Sequence, residues 1–171
     1  MNAQPLHDAK STGLPHLRKY MVFLISGERF AVPLGQVKEV IGLSKITPLP
    51  NVPKYFKGLI NLRGKIISII ALGEKLQITS KEAAAKPCII ISEIRDAVVG
   101  MIVDQVIEVV GIHDDQIERN LDLANAGCRE YVTGIAKIES QALTVLLDIG
   151  KVLNIEELVG VQKSSHLGKA A

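Results

Sequence analysis

Val37-Lys38-Glu39-Val40-Ile41-Gly42 returns 69 residues later (37 to 106) as Val106-Ile107-Glu108-Val109-Val110-Gly111. Further along, Tyr55-Phe56-Lys57-Gly58-Leu59-Ile60 returns 76 residues later (55 to 131) as Tyr131-Val132-Thr133-Gly134-Ile135-Ala136. One match between Ile/Val-rich hexapeptides is within the reach of chance. Two matches in the same order, with spacings that differ only by a short insertion, point to a duplicated β module. Ala83-Ala84-Ala85-Lys86-Pro87 is the natural junction between the copies, since proline there discourages a continuing helix.

Around these repeats the apolar runs are short and rich in Ile and Val: Tyr20–Ile25, Phe30–Val32, Val37–Leu43, Ile66–Leu72, Cys88–Ile91, Ala97–Val103, Val106–Ile112 and Leu143–Ile149. Each is bounded by Gly, Pro, Asp, Ser or Glu, which is the pattern of strands joined by tight turns in a barrel or sandwich. Three hairpin turns can be read directly, at Ser26-Gly27-Glu28-Arg29, Arg63-Gly64-Lys65 and Glu93-Ile94-Arg95-Asp96. Helix is expected to be scarce: a turn at Pro33–Gln36, a segment near Gly73–Gln77, and Asn154–Val159, where Asn154 can cap and Glu156 and Glu157 suit a helix N-terminus.

Composition narrows the function. The 171 residues are 47% hydrophobic and 22% charged, which suits a folded core. A formal charge of +2, with both signs interspersed, offers no track for a phosphate backbone or an anionic membrane. Cys88 and Cys128 lie far apart with no second ligand at metal spacing, so neither a zinc site nor a disulfide framework is expected, and no cofactor. No apolar stretch has the length of a signal-peptide core or a membrane span, so the expectation is a soluble cytoplasmic protein without direct membrane insertion.

The run Phe56-Lys57-Gly58-Leu59-Ile60-Asn61-Leu62-Arg63-Gly64-Lys65-Ile66-Ile67-Ser68-Ile69-Ile70 resembles the signature of the chemotaxis coupling (adaptor) protein family CheW, with its Asn-Leu-Arg-Gly core. Val32-Pro33, Val37-x-Glu39-Val40-Ile41 and Ile46–Pro53 fit the same family upstream, and Gly100–Val106 and Leu146–Ile149 fit it downstream. Relatives place Asp in the strand after this signature, where this chain has Ala71-Leu72. The resemblance implies a mainly all-β fold of two intertwined, SH3-like five-stranded barrels with a few short helices. Its boundaries would be a mobile tail over residues 1–18, a CheW-like domain over 19–159 and a mobile tail over 160–171. Within the domain the first barrel is expected over about 19–85, the second over about 87–150 and a C-terminal helix over about 154–159.

It also implies a non-catalytic adaptor that couples the cytoplasmic tip of methyl-accepting chemoreceptors to the regulatory domain of the CheA histidine kinase, recruited to receptor arrays at the inner membrane. The related readings are an adaptor of a surface-motility (pilus) pathway and, from another class, a small barrel for single-stranded nucleic acid. The last wants aromatic platforms, and aromatics are only 4% here with no Trp. By resemblance, Val37 and Val106 supply the floor of a receptor groove between the barrels, with Glu39 and Arg63 as rim charges. Val37 and Val106 fit barrel core equally well, Glu39 fits the outward residue of an alternating strand, and Arg63 fits a solvated turn. Gly58, Gly64 and Gly100 are expected to serve the backbone that supports binding. The residues that touch the kinase cannot be read from the chain.

Catalytic leads fail on spacing. Gly58 to Gly64-Lys65 has five intervening residues instead of four and Ile66 in place of Ser/Thr, so it is not a phosphate loop. His113-Asp114-Asp115 has no nucleophile tied to it.

Overall fold

The computed structural model describes residues 16–78, 86–95, 97–119, 130–138 and 142–153. The strands are β1 (Leu17–Ile25), β2 (Glu28–Pro33), β3 (Val37–Gly42), β4 (Phe56–Leu62), β5 (Lys65–Ala71), β6 (Cys88–Ile94), β7 (Ala97–Val103), β8 (Gln105–His113), β9 (Ile117–Glu118), β10 (Val132–Ile138) and β11 (Ala142–Leu147). Two helical turns, α1 (Leu72–Lys75) and α2 (Ile149–Val152), follow β5 and β11. Every expected apolar run forms the body of a strand, because β-branched side chains pack well on a pleated surface, although Leu43, Leu72 and Ile149 at the ends of three runs fall outside the strands.

All three hairpins close where the turn residues stand. Ser26 and Gly27 have φ of 53° and 82°, Arg63 and Gly64 have 52° and 85°, and Arg95 has 45°. Both central residues of the first two turns are thus left-handed, which matches the twist of the flanking strands. A 3-10 turn over Leu34–Gln36 follows Pro33, as the proline suggested. The segment near Gly73–Gln77 holds α1, which begins one residue earlier and ends at Lys75, with Gln77 left-handed at φ 58°. Ile149 is helical although it ended an apolar run; the Asp148 carboxylate accepts the Lys151 backbone N–H at 3.3 Å and caps α2. The expected helix at Asn154–Val159 lies outside the described residues, as do most of both expected tails. Leu17 and Arg18 are not tail: they pair with His113 and Ile112.

The strands form a six-stranded sheet, β8-β1-β2-β11-β10-β9, and a five-stranded sheet, β3-β6-β7-β5-β4. The two copies of the repeat are consecutive in sequence, but the sheets are not: strands from both sides of residue 86 enter each sheet. The first hairpin of each copy is exchanged: β1–β2 sits with β8, β10 and β11, and β6–β7 sits with β3, β4 and β5. Two parallel pairings, β2 with β11 and β5 with β7, join what the chain order separates. The exchange is what the word intertwined means for this fold, and neither copy has a complete sheet of its own.

Irregularities of pairing repeat at the same spacings. Lys38 and Ile107 are both passed over in their ladders, as are Lys57 and Thr133. Bulges sharpen strand twist and let short sheets curl. Each sheet curls around its own apolar cluster: Ile60, Ile67, Ile69, Ile89 and Ile91 in the five-stranded sheet, and Tyr20, Val22, Ala31, Ile112, Ile117, Ala136 and Leu146 in the six-stranded one. The alternate residues of the same strands, among them Met21, Phe23, Phe30, Ile70, Ile90, Met101 and Leu147, meet in a third cluster between the sheets. Central strands are therefore buried on both faces and read as unbroken Ile/Val runs.

Two glycines carry steric demands. A Cβ on Gly58, at φ 135°, would stand 2.1 Å from the Thr47 carbonyl oxygen, and one on Gly100 would stand 2.4 Å from Ile69 Cδ1. Gly64 faces open space and needs only its positive φ. Gly58→Ala is therefore expected to cost about 2–5 kcal/mol through combined strain and overlap, whereas Gly64→Ala costs about 1–2 kcal/mol. Chemical denaturation of the two variants checks this order; equal losses would remove the Thr47 contact from the explanation.

Candidate functional site

β3 and β8 are the equivalent edge strands of the two sheets, each with an unpaired main-chain side. Register decides where their side chains point. Val37 stands opposite Ser92 and Val40 opposite Ile90; at the matching positions Val106 stands opposite Phe23 and Val109 opposite Met21. Directly paired residues share a face, so all four valines project toward the cluster between the sheets. Val37 and Val106 are half-buried and pack against it. Val40 and Val109 are 39% and 48% exposed. The result is an aliphatic seam along the margin of the shared core, built twice by the repeat. The core reading of Val37 and Val106 holds, since both pack against the outer layer of the cluster between the sheets.

Cys88 stitches the seam. It starts β6 opposite Gly42 of β3, and its sulfur accepts the Val106 backbone N–H from β8. Burial pushes this thiol above its ordinary pKa, with the Val106 N–H opposing the shift.

Glu39 and Arg63 face one another. Arg63 Nη1 and Nη2 donate to Glu39 Oε1 and Oε2, both at 2.9 Å. The signature explains the geometry: the Asn61 side chain accepts the Gly64 N–H at 2.8 Å, Arg63 adopts the left-handed conformation, and Leu62 points into the five-stranded cluster. Glu39 lies on β3 and Arg63 on the turn after β4, so the pair ties together the first and last strands of one curled sheet. The Arg63 side chain is 77% exposed and that of Glu39 29%. Most of the guanidinium therefore remains available to a partner while its fork is held.

The remaining candidates separate. Gly58 and Gly100 sit inside the strands and Gly64 in the turn. Leu59 donates its N–H to the Thr47 carbonyl, so the Gly58–Gly64 stretch is a paired strand and not an anion cradle. Asp114 pairs with Arg119 at 3.0 Å and with Arg18 at 3.6 Å, and the Arg119 hydrogen bond holds its carboxyl below the usual range. That carboxylate fastens a surface turn, with no serine or cysteine of the described residues bonded to it. Among the described residues no group of three His, Cys, Asp or Glu gathers in a metal-binding arrangement.

A family model described as the CheW-like domain matches residues 19–157. The chain belongs to the CheW family. It is 35% identical over 138 residues to the chemotaxis protein CheW of Thermotoga maritima, covering 80% of this chain and 86% of that one. The chemotaxis protein CheW of Bacillus subtilis is 33% identical over 138 residues, covering 81% and 88%. Among solved structures, the scaffolding protein TtCheW from Thermoanaerobacter tengcongensis aligns with a TM-score of 0.75 and 30% identity, covering 83% of this chain and 96% of that one. Protein PilI of Pseudomonas aeruginosa is 27% identical over 113 residues, covering 66% and 64%.

Set in a CheW-like frame, Val40, Val109 and Cys88 are the seam residues that the reading of the sequence passed over. The signal for two of them was present, since the same repeat that pairs Val37 with Val106 pairs Val40 with Val109. Two measurements test the site as built. Arg63→Ala removes an exposed pair and is expected to lower stability by no more than about 1 kcal/mol, a loss that shrinks in high salt; a large fall in melting temperature would assign the clasp to the core of the fold. The Cys88 thiol, protonated at neutral pH, is expected to react with iodoacetamide more slowly than an unburied cysteine and to speed up as pH rises; reaction at the rate of a free thiol would remove it from the seam.

Proposed function

We propose that the seam between β3 and β8 is where this chemotaxis adaptor receives the helical tip of a chemoreceptor, while other parts of its surface engage the regulatory domain of a CheA kinase. The observation that carries the reading is the doubled valine pattern beside a charged clasp. A helix laid on an aliphatic strip needs apolar floor contacts spaced along it and a few charges at the rim to set its register. Val37, Val40, Val106 and Val109 supply the first, and the exposed flank of Arg63 with Glu39 supplies the second. Work of this kind forms and breaks no covalent bond, and we assign the chain no catalytic role.

No helix among the described residues is long and apolar enough to cross a membrane, so on this reading the receptor brings the adaptor to the array. The pilus and nucleic-acid alternatives are not favoured: the relatives named for chemotaxis are covered over more of their length than PilI, and among the described residues no aromatic platform lines the seam.

Capture on a receptor signalling-domain fragment tests the assignment. Val109→Asp, which puts a charge on an exposed position, is expected to reduce capture at least tenfold while the variant stays folded. Arg63→Glu should also weaken capture, with little change in thermal stability. Undiminished capture by a folded Val109→Asp protein would move the receptor off this seam. Retention of a labelled single-stranded oligonucleotide in place of the receptor fragment would end the adaptor reading.

A further inference from the structure

The two barrels close their seams differently. In the five-stranded sheet Glu39 is met by Arg63 from the β4–β5 turn. Its repeat counterpart, Glu108, has no such partner on offer, because the sequence between β10 and β11 is Glu139-Ser140-Gln141. Glu108 is met instead by Arg29 from β2, whose Nη2 donates to Glu108 Oε1 at 2.8 Å. The guanidinium is drawn across the sheet and a cavity of about 480 Å³ remains, lined by Arg29, Glu108, His113, Gln116 and Lys137 among others.

Its polar inventory is unbalanced toward donors. Arg29 Nε is buried without a hydrogen-bond partner. The Gln116 carbonyl oxygen already accepts the His113 N–H at 2.8 Å, which leaves its amide hydrogens free to donate. Lys137 has no carboxylate partner among the described residues. Against these donors the lining holds one carboxylate, Glu108, for two cationic side chains, the half-buried Arg29 and the exposed Lys137. Buried donors left unsatisfied are costly, and a charged acceptor satisfies them best.

We propose that this cavity binds a small oxyanion of the phosphate type, held by Arg29 and Lys137, with room beside it for an attached organic group. The site lies in the barrel opposite the Arg63 clasp and does not depend on the receptor reading. Glu108 acts as its gate, since an arriving anion must take Arg29 from it.

Titration of the full chain with inorganic phosphate at constant ionic strength, followed by amide chemical shifts and melting temperature, tests the proposal. Saturable shifts are expected at the ends of β2, β8 and β10. Lys137→Gln should weaken binding about tenfold, the loss of one charge-assisted hydrogen bond. Glu108→Gln should tighten it several-fold by freeing Arg29. Acetate should bind more weakly than phosphate, and receptor capture by Lys137→Gln should equal that of the parent. Absence of saturation, equal affinity in Lys137→Gln (an adventitious ion only), weaker binding by Glu108→Gln, or acetate matching phosphate would each overturn the proposal.

Discussion

The whole structure leans on one apolar cluster that no single half of the chain can make. Met21, Phe23, Phe30 and Val32 come to it from one sheet, and Ile70, Ile90, Val99, Met101 and Val103 from the other. Because the hairpins β1–β2 and β6–β7 have changed places, each sheet is completed by strands of the opposite copy. Pulling the halves apart would expose this cluster and break both parallel ladders at once. At about 1.5–3 kcal/mol for each large aliphatic or aromatic side chain buried, that coupling is far larger than any surface ion pair in the molecule.

The binding surface follows from the same constraint. A core shared between two curled sheets must end somewhere, and it ends along the edge strands β3 and β8, where pairing stops. Edge strands carry unpaired main-chain groups and are ordinarily a hazard. Here they are short or bulged, and charges flank them: Lys38 pairs with Glu93 at 2.6 Å and Arg29 with Glu108 at 2.8 Å. The aliphatic strip between them stays rigid because its inner layer is the core itself. A rigid, half-buried strip loses little side-chain freedom when a helix settles on it, which favours binding by reducing the ordering cost.

Duplication also explains where the two barrels part company. Repeated bulges, repeated edge strands and paired small residues, Ala31 matching Gly100 inside the curled sheets, preserve the architecture. The ion pairs do not have to be preserved, because each has a partner open to solvent and is weakly stabilising. One barrel closes with Arg63 and Glu39; the other enlists Arg29 and keeps an opening. Divergence has accumulated where the energetic penalty for it is smallest.

Strand positions, the three hairpin turns and the duplication were legible in the chain, since each rests on local chemistry: β-branched runs, left-handed turn residues, and a recurring hexapeptide. The Asn-Leu-Arg-Gly turn could likewise be placed, and with it Arg63. Whether Arg63 faced Glu39, and whether Val37 belonged to core or surface, could not be read, because period-two alternation names two faces without saying what covers them. The exchange of hairpins was hidden for a related reason. Parallel pairing of β2 with β11 and β5 with β7 joins strands far apart in sequence, and no local signal records which distant edge a strand will choose. Burial of the shared cluster makes that choice, and only the folded chain displays it.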